Sequence, residues 1–174
     1  VVHERTGSAR TFIGGYISWD GHWLVVAVQH GWNATDVAVR DLRVPDAPWQ
    51  DLARGLDANV SVDVWDDRFY VTTNAGAPRY RVFRVEPSRL DRASWTEIVP
   101  ESDATLDSVG IVGGHLVLTY MRNAASEMEV RTLDGALVRR IDLPPLGSTG
   151  GISGTPDDDT GYFGFTSFTE PQDR

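Results

Sequence analysis

Apolar and polar residues along the chain recur in short alternating runs, each set off by a tight turn. Asp20-Gly21-His22 precedes Trp23-Leu24-Val25-Val26-Ala27-Val28, and Asp66-Asp67-Arg68 precedes Phe69-Tyr70-Val71-Thr72-Thr73. The same pairing returns as Gly113-Gly114-His115 before Leu116-Val117-Leu118-Thr119-Tyr120 and as Asp158-Asp159-Thr160 before a run over Gly161-Tyr162-Phe163-Gly164-Phe165-Thr166-Ser167. The turns begin at 20, 66, 113 and 158, giving steps of 46, 47 and 45 residues. Runs of this length and period predict strands, and Asp-Gly or Gly-Gly between them suits hairpins whose turn residues take positive φ.

Each repeat reads as four strands. The first unit supplies Phe12–Ser18, Trp23–Gln29, Thr35–Leu42 and Trp49–Ala53; the second Val60–Trp65, Phe69–Thr73, Arg79–Glu86 and Trp95–Val99; the third Ser108–Val112, Leu116–Arg122, Glu127–Leu133 and Leu137–Leu143. Alternation in Arg79–Val85 slips by one residue before Val85. Trp49, Leu52, Ala53 and Leu56 also fit a helical face, which stands as the alternative for the fourth strand of the first unit. Four strands per repeat of this size predict an all-β fold, a partial β-propeller, with blades near 12–56, 58–100 and 105–145 and an incomplete one at 150–174. A small β-sandwich with accidental spacing is the competing architecture. Three blades and part of a fourth do not close a ring, so a segment of a larger propeller, cut at both ends, is expected.

Composition narrows the function. Sixteen basic against 25 acidic residues leave a net charge of −9, which argues against binding nucleic acid or an anionic membrane surface. All 16 basic residues are arginine, as in chains from GC-rich bacterial genomes. The chain has no cysteine, which removes disulfides, thiolate metal sites and a cysteine nucleophile, and fits a cytoplasmic location somewhat better than a periplasmic one. No apolar run reaches the length of a membrane span, and the start lacks the layout of a signal peptide.

The chemistry-bearing residues are sparse. Gly151-Ile152-Ser153-Gly154-Thr155 approximates a nucleophile elbow but lacks the final glycine and precedes a hairpin, so Ser153 is expected in a loop between blades. His3, His22, His30 and His115 form no metal-ligand spacing, and His22 and His115 fall at equivalent turns. Asp66-Asp67 and Asp157-Asp158-Asp159 lack the pattern of a calcium loop and read as solvated turns. Asn33-Ala34-Thr35 and Asn59-Val60-Ser61 match glycosylation acceptors, which carry no weight in a bacterial chain. No catalytic residue, metal or cofactor is assigned. Most aromatics are expected in blade packing, with Trp19, Trp23, Trp32 and Trp65 as candidates to line a tunnel. Arg79, Arg81 and Arg84 are the weak candidates for a substrate channel, against the stronger alternative of an ion-paired outer surface.

Several phrases resemble the prolyl oligopeptidase family. They are Asp67-Arg68-Phe69-Tyr70-Val71-Thr72-Thr73-Asn74-Ala75-Gly76-Ala77-Pro78-Arg79-Tyr80-Arg81, Trp95-Thr96-Glu97-Ile98-Val99-Pro100-Glu101, Ser108–Leu116, Phe165–Pro171 and the opening Val2–Gly7. The resemblance implies a seven-bladed propeller inserted in an α/β-hydrolase domain with a Ser/Asp/His triad. It implies that the propeller caps the active site and admits short peptides for cleavage after proline. No segment of this chain resembles the hydrolase domain. The expected partners are therefore that catalytic domain and short proline-containing peptides. The rival expectation is a half-propeller that self-associates through open blade edges and serves as a binding module. A free-standing WD-repeat scaffold lacks its Trp-Asp blade endings here, since Trp65-Asp66 falls at a turn.

Overall fold

A computed structural model describes residues 7–8 and 10–167. The chain forms three four-stranded antiparallel sheets and a fourth, smaller hairpin. The first sheet comprises β1 (Thr11–Ile17), β2 (Trp23–His30), β3 (Ala34–Asp41) and β4 (Gln50–Ala53). The second comprises β5 (Val60–Trp65), β6 (Arg68–Thr73), β7 (Arg81–Val85) and β8 (Thr96–Val99), and the third β9 (Thr105–Val112), β10 (His115–Arg122), β11 (Ala125–Arg131) and β12 (Leu137–Ile141). Each sheet is a meander in chain order, as a propeller blade requires. The segment at Trp49–Leu56 is strand and loop; no helix forms there, because Leu52 and Ala53 both find buried partners on the sheet.

The fourth unit departs from its expectation. A single strand over Gly161–Ser167 is replaced by two short ladders: β13 (Gly147–Thr149) with β16 (Phe165–Ser167), and β14 (Ser153–Gly154) with β15 (Gly161–Tyr162). Gly150 and Gly151 interrupt the pairing, the latter at φ 105°. Phe168–Pro171, His3 and the opening Val2–Thr6 lie outside the described residues.

A bulge recurs in every complete blade. Val37 pairs with Ala53 and Ala38 with Asp51, leaving out Leu52. Val82 pairs with Val99 and Phe83 with Glu97, leaving out Ile98; Val130 pairs with Arg139 and Arg131 with Leu137, leaving out Val138. One extra residue per fourth strand locally steepens the twist of the outer edge. β7 itself stays in register with β6; Tyr80 and Val82 face the third blade while Phe83 and Val85 face the first, so the apparent slip in Arg79–Val85 is a strand buried on both faces.

The cores lie between blades. Val60, Val62 and Val64 alternate along β5 toward the first blade and pack with Trp23, Val25, Val37 and Val39. Trp23 and Phe69, each opening a second strand, meet edge to face at 4.9 Å. Trp65 and Tyr70 face the opposite way and join Leu106, Leu116 and Leu118 of the third blade. A thinner cluster of Val112, Val117 and Met128 joins the third blade to the hairpin. Burying an aromatic or branched side chain stabilises by about 1.5–3 kcal/mol each, so these seams hold the blades together.

Candidate functional site

The antiparallel alternation puts all first turns of the blades at one end and the connections between blades at the other. First strands run along the inner side. β5 neighbours β9, β9 neighbours β14, and the Tyr16 hydroxyl on β1 donates to the Val62 carbonyl on β5 at 2.7 Å. That bond satisfies a carbonyl on an inner edge, where no further strand pairs. Burial of the Tyr16 hydroxyl, reinforced by Asp63, raises its pKa well above the ordinary tyrosine value, although the ring stays partly exposed. Asp63, also on β5 and opposite Tyr70, is pushed up to about 6 by burial.

At the connection end, the start of β1, the end of β2 and the approach to β5 enclose a concavity of about 690 Å³. Arg10, Phe12, Gln29, Gly31, Trp32 and Asn59 line it. Trp32 is 93% exposed, an unusual position for an indole. Gly31 at φ 70° turns the chain so that Trp32 stands out from the sheet, and its amide donates to the Arg10 carbonyl at 3.1 Å. His30 beside it pairs with Asp36 at 2.9 Å.

At the turn end, charges cluster across the first seam. The Arg43 guanidinium reaches Asp41 at 2.9 Å and Asp67 at 2.8 Å, and the Trp23 indole donates to Asp67 at 3.0 Å. The Trp23 hydrogen bond, then Arg43, hold the Asp67 carboxyl below the usual carboxylate range; the Arg43 hydrogen bonds do the same for Asp41. Asp20, His22 and Asp67 place ligand-type atoms within 4.8 Å of one another, but Arg43 already supplies the positive charge there. On the far side, His115 Nδ1 lies 2.8 Å from the Gly113 carbonyl.

The other sequence candidates are dispersed. Arg79 sits in the loop before β7, its amide donating to Glu101 at 2.7 Å and its guanidinium to the Asp103 carbonyl at 2.9 Å. Arg81 and Arg84 lie on β7, the third strand of its blade; Arg81 pairs with Glu97 at 2.9 Å, and Arg84 pairs with Glu86 at 3.5 Å and with Asp134. Ser153 is exposed on β14, paired with Tyr162, with no helix after it. Trp23 is buried in the first seam, whereas Trp19 is 59% exposed. Among the described residues no nucleophile, base and oxyanion donor converge.

A family model for the prolyl oligopeptidase N-terminal β-propeller domain matches residues 1–173. The chain belongs to this family. A prolyl endopeptidase of Elizabethkingia meningoseptica is 28% identical over 163 residues, covering 93% of this chain and 23% of that protein. A solved structure from a study of two prolyl endopeptidases, concerned with inter-domain dynamics in catalysis and specificity, is 46% identical and superposes with a TM-score of 0.94. It covers 98% of this chain, which matches 25% of its length. Prolyl oligopeptidase B of Galerina marginata, bound to a 35mer hydrolysis and macrocyclization substrate, shares the fold at 20% identity and a TM-score of 0.86. The chain thus spans about a quarter of the length of the relatives it matches. It is a propeller segment of the prolyl oligopeptidase family, all-β and built of four-stranded antiparallel blades, as the repeat implied.

Proposed function

We propose that this chain is part of the cap of a bacterial serine peptidase that cleaves short peptides after proline, and that it gates entry to an active site carried by an α/β-hydrolase domain. The observation that carries the reading is the match of the propeller family along nearly the whole chain, including the residues that build the seams. In the parent, a serine attacks the peptide carbonyl with histidine as general base. This chain contributes exclusion of large substrates and one wall of the route taken by small ones. The concavity beside Trp32 is the surface on which a peptide or the hydrolase domain would rest, since an indole is rarely left this exposed without a partner. The parent is placed in the cytoplasm in preference to the periplasm.

The test is to express the protein encoded by the full reading frame around this chain and compare it with the chain alone. The full protein is expected to hydrolyse a chromogenic peptide after proline, and the chain alone is not. Absence of that activity from the full protein, with its hydrolase domain folded, would overturn the reading. A second reading, a self-associating half-propeller, is favoured by Phe12, Ile13 and Ile17 on β1 and Leu137 and Val138 on β12, all 43% exposed or more. A stable dimer of the chain alone in sedimentation would support it.

A further inference from the structure

Most arginines of the blades are matched to acid. Arg43 meets Asp41 and Asp67, and Arg68 meets Asp66 and Glu86. Arg84 meets Glu86 and Asp134, and Arg122 meets Asp103 and Glu127. With 25 acidic residues to 16 arginines, a guanidinium without a carboxylate stands out. Arg92 has no acidic partner among the described residues and is nevertheless held in place. It opens a short 3-10 turn, Arg92–Ser94, between β7 and β8, the outer strands of the second blade. Its guanidinium carbon lies 4.1 Å from the centroid of the Phe83 ring and 4.5 Å from that of Trp95. Both rings are buried and fixed: they meet edge to face at 5.7 Å, and the Trp95 indole donates to the Leu90 carbonyl at 2.9 Å. The neighbouring acids are committed elsewhere. Asp91 accepts from the Ser94 hydroxyl at 2.9 Å. Glu97 pairs at 2.9 Å with Arg81, whose guanidinium lies over the same Phe83 ring at 5.0 Å. Arg89, exposed in the same loop, also has no acidic partner among the described residues.

We propose that Arg92, on its platform of Phe83 and Trp95, anchors a binding site on the outer strands of the second blade for an acidic peptide segment of a partner protein, taking the oxyanion of a carboxylate or a phosphoryl group. Stacking on ring faces leaves the edge of a guanidinium free, and that edge is the fork that takes a carboxylate or phosphate through two parallel hydrogen bonds. The rings hold the side chain still before a ligand arrives, so less rotamer freedom is lost on binding. Arg89 adds a second charge to the same loop. The loop therefore attracts an anion locally, on a chain whose net charge of −9 repels one at a distance. A short acidic segment suits that balance, and a long polyanion does not.

The test uses the protein encoded by the full reading frame and three short, proline-free, fluorescently labelled peptides. One carries glutamates, one carries phosphoserine in their place, and one carries neutral glutamine. Fluorescence anisotropy is expected to show binding of an acidic peptide and none of the neutral one, and the tighter of the two acidic peptides identifies the oxyanion. Arg92→Gln is expected to weaken that binding about tenfold or more. Arg92→Lys keeps the charge but loses the planar fork, and is expected to weaken it as well. Arg139→Gln, at an exposed arginine of β12, is expected to leave it unchanged. Thermal unfolding checks that each variant is folded; should Arg92→Gln fail to fold, Arg92→Lys and the exposed Arg89→Gln decide. Binding of neither acidic peptide, equal binding of the neutral one, or equal losses at Arg92 and Arg139 overturns the site. No outcome depends on turnover, so the site stands or falls separately from the peptidase reading.

Discussion

The first and third seams join equivalent strands of successive blades yet are built from different materials. Between the first two blades, bulky rings fill the space: Trp23 meets Phe69 at 4.9 Å and 80°, and Phe83 meets Trp95 at 5.7 Å and 61°. Between the third blade and the hairpin, small residues let backbones approach. The main-chain bonds from Gly113 and Gly114 to Thr155 and Pro156 do the joining, over a core whose buried members are Val112, Val117 and Met128. A ring-filled seam gains from buried area and loses heavily when a ring is removed. A seam made by backbone approach gains little from area and fails when a side chain is added. The repeat therefore conserves geometry and leaves the chemistry of each joint free.

Removing a ring is the most damaging way to probe this difference. Phe69, fully buried, is expected to cost about 3–5 kcal/mol on Phe69→Ala. Met128→Ala at the thin seam is expected near the low end for its class, about 2 kcal/mol, because Met128 borders an open concavity on β11 and β12 into which the site can relax. Urea unfolding measures both, and equal losses would break the comparison.

Adding a methyl should reverse the order of the seams. Gly113 holds φ 54°, and a side chain there would stand 2.6 Å from an Asp159 carboxylate oxygen and 3.1 Å from the Asp159 Cα. Gly113→Ala is expected to cost about 1–3 kcal/mol from overpacking in addition to the strained backbone. Gly21→Ala in turn one meets nothing within 4 Å, so only the backbone penalty of roughly 1 kcal/mol remains. A similar loss at both positions in thermal unfolding would show that φ alone sets the cost.

How much of this was legible in the chain follows from what each feature depends on. The strands and turns were, because period-2 runs and paired Asp or Gly act locally; Asp66 and Asp67 do take φ 51° as the hairpin demands. The bulges left no trace, since each extra residue falls in a short fourth strand, and the apparent slip before Val85 marks instead a strand buried on both faces. The split of the last hairpin did not, since Gly161–Ser167 reads as one strand unless the interruption at Gly150 and Gly151 is placed opposite it. The contacts between blades were invisible. Arg43 and Asp67 are 24 residues apart, and only the stacking of blades brings them together. For Trp32, the available signal was a lone indole after His30-Gly31 in a polar loop, where packing gives no reason for it.

The buried carboxyl between the second and third blades gives a pH-dependent comparison. Asp63 is raised from 3.8 to about 6 by burial, with no ion pair among the described residues. The folded state thus holds the proton more tightly than the unfolded one, so stability falls as pH rises from about 4 to 6 and stays lower above that. Asp63→Asn is expected to stabilise by on the order of 1–2 kcal/mol at pH 7 and by almost nothing at pH 4. Chemical denaturation at the two pH values checks the sign; a variant less stable at pH 7 would mean that the carboxylate has a favourable partner.

The smallest effect is also the one that separates charge from hydrogen bonding at the first seam. Asp67 serves Trp23 and Arg43 at once, at 3.0 and 2.8 Å. Asp67→Asn keeps an oxygen for the indole but removes the charge facing Arg43; Asp67→Ala removes both. Because the carboxyl is about half exposed, the ion pair should be worth no more than about 0.5 kcal/mol and should vanish in concentrated salt. The indole bond is worth about 1 kcal/mol and does not depend on salt. Asp67→Ala is therefore expected to lose more than Asp67→Asn, and the gap should persist at high ionic strength. If the two variants converge once salt is added, Arg43 rather than Trp23 is the partner that matters, and the ring-filled seam owes part of its strength to its charged rim.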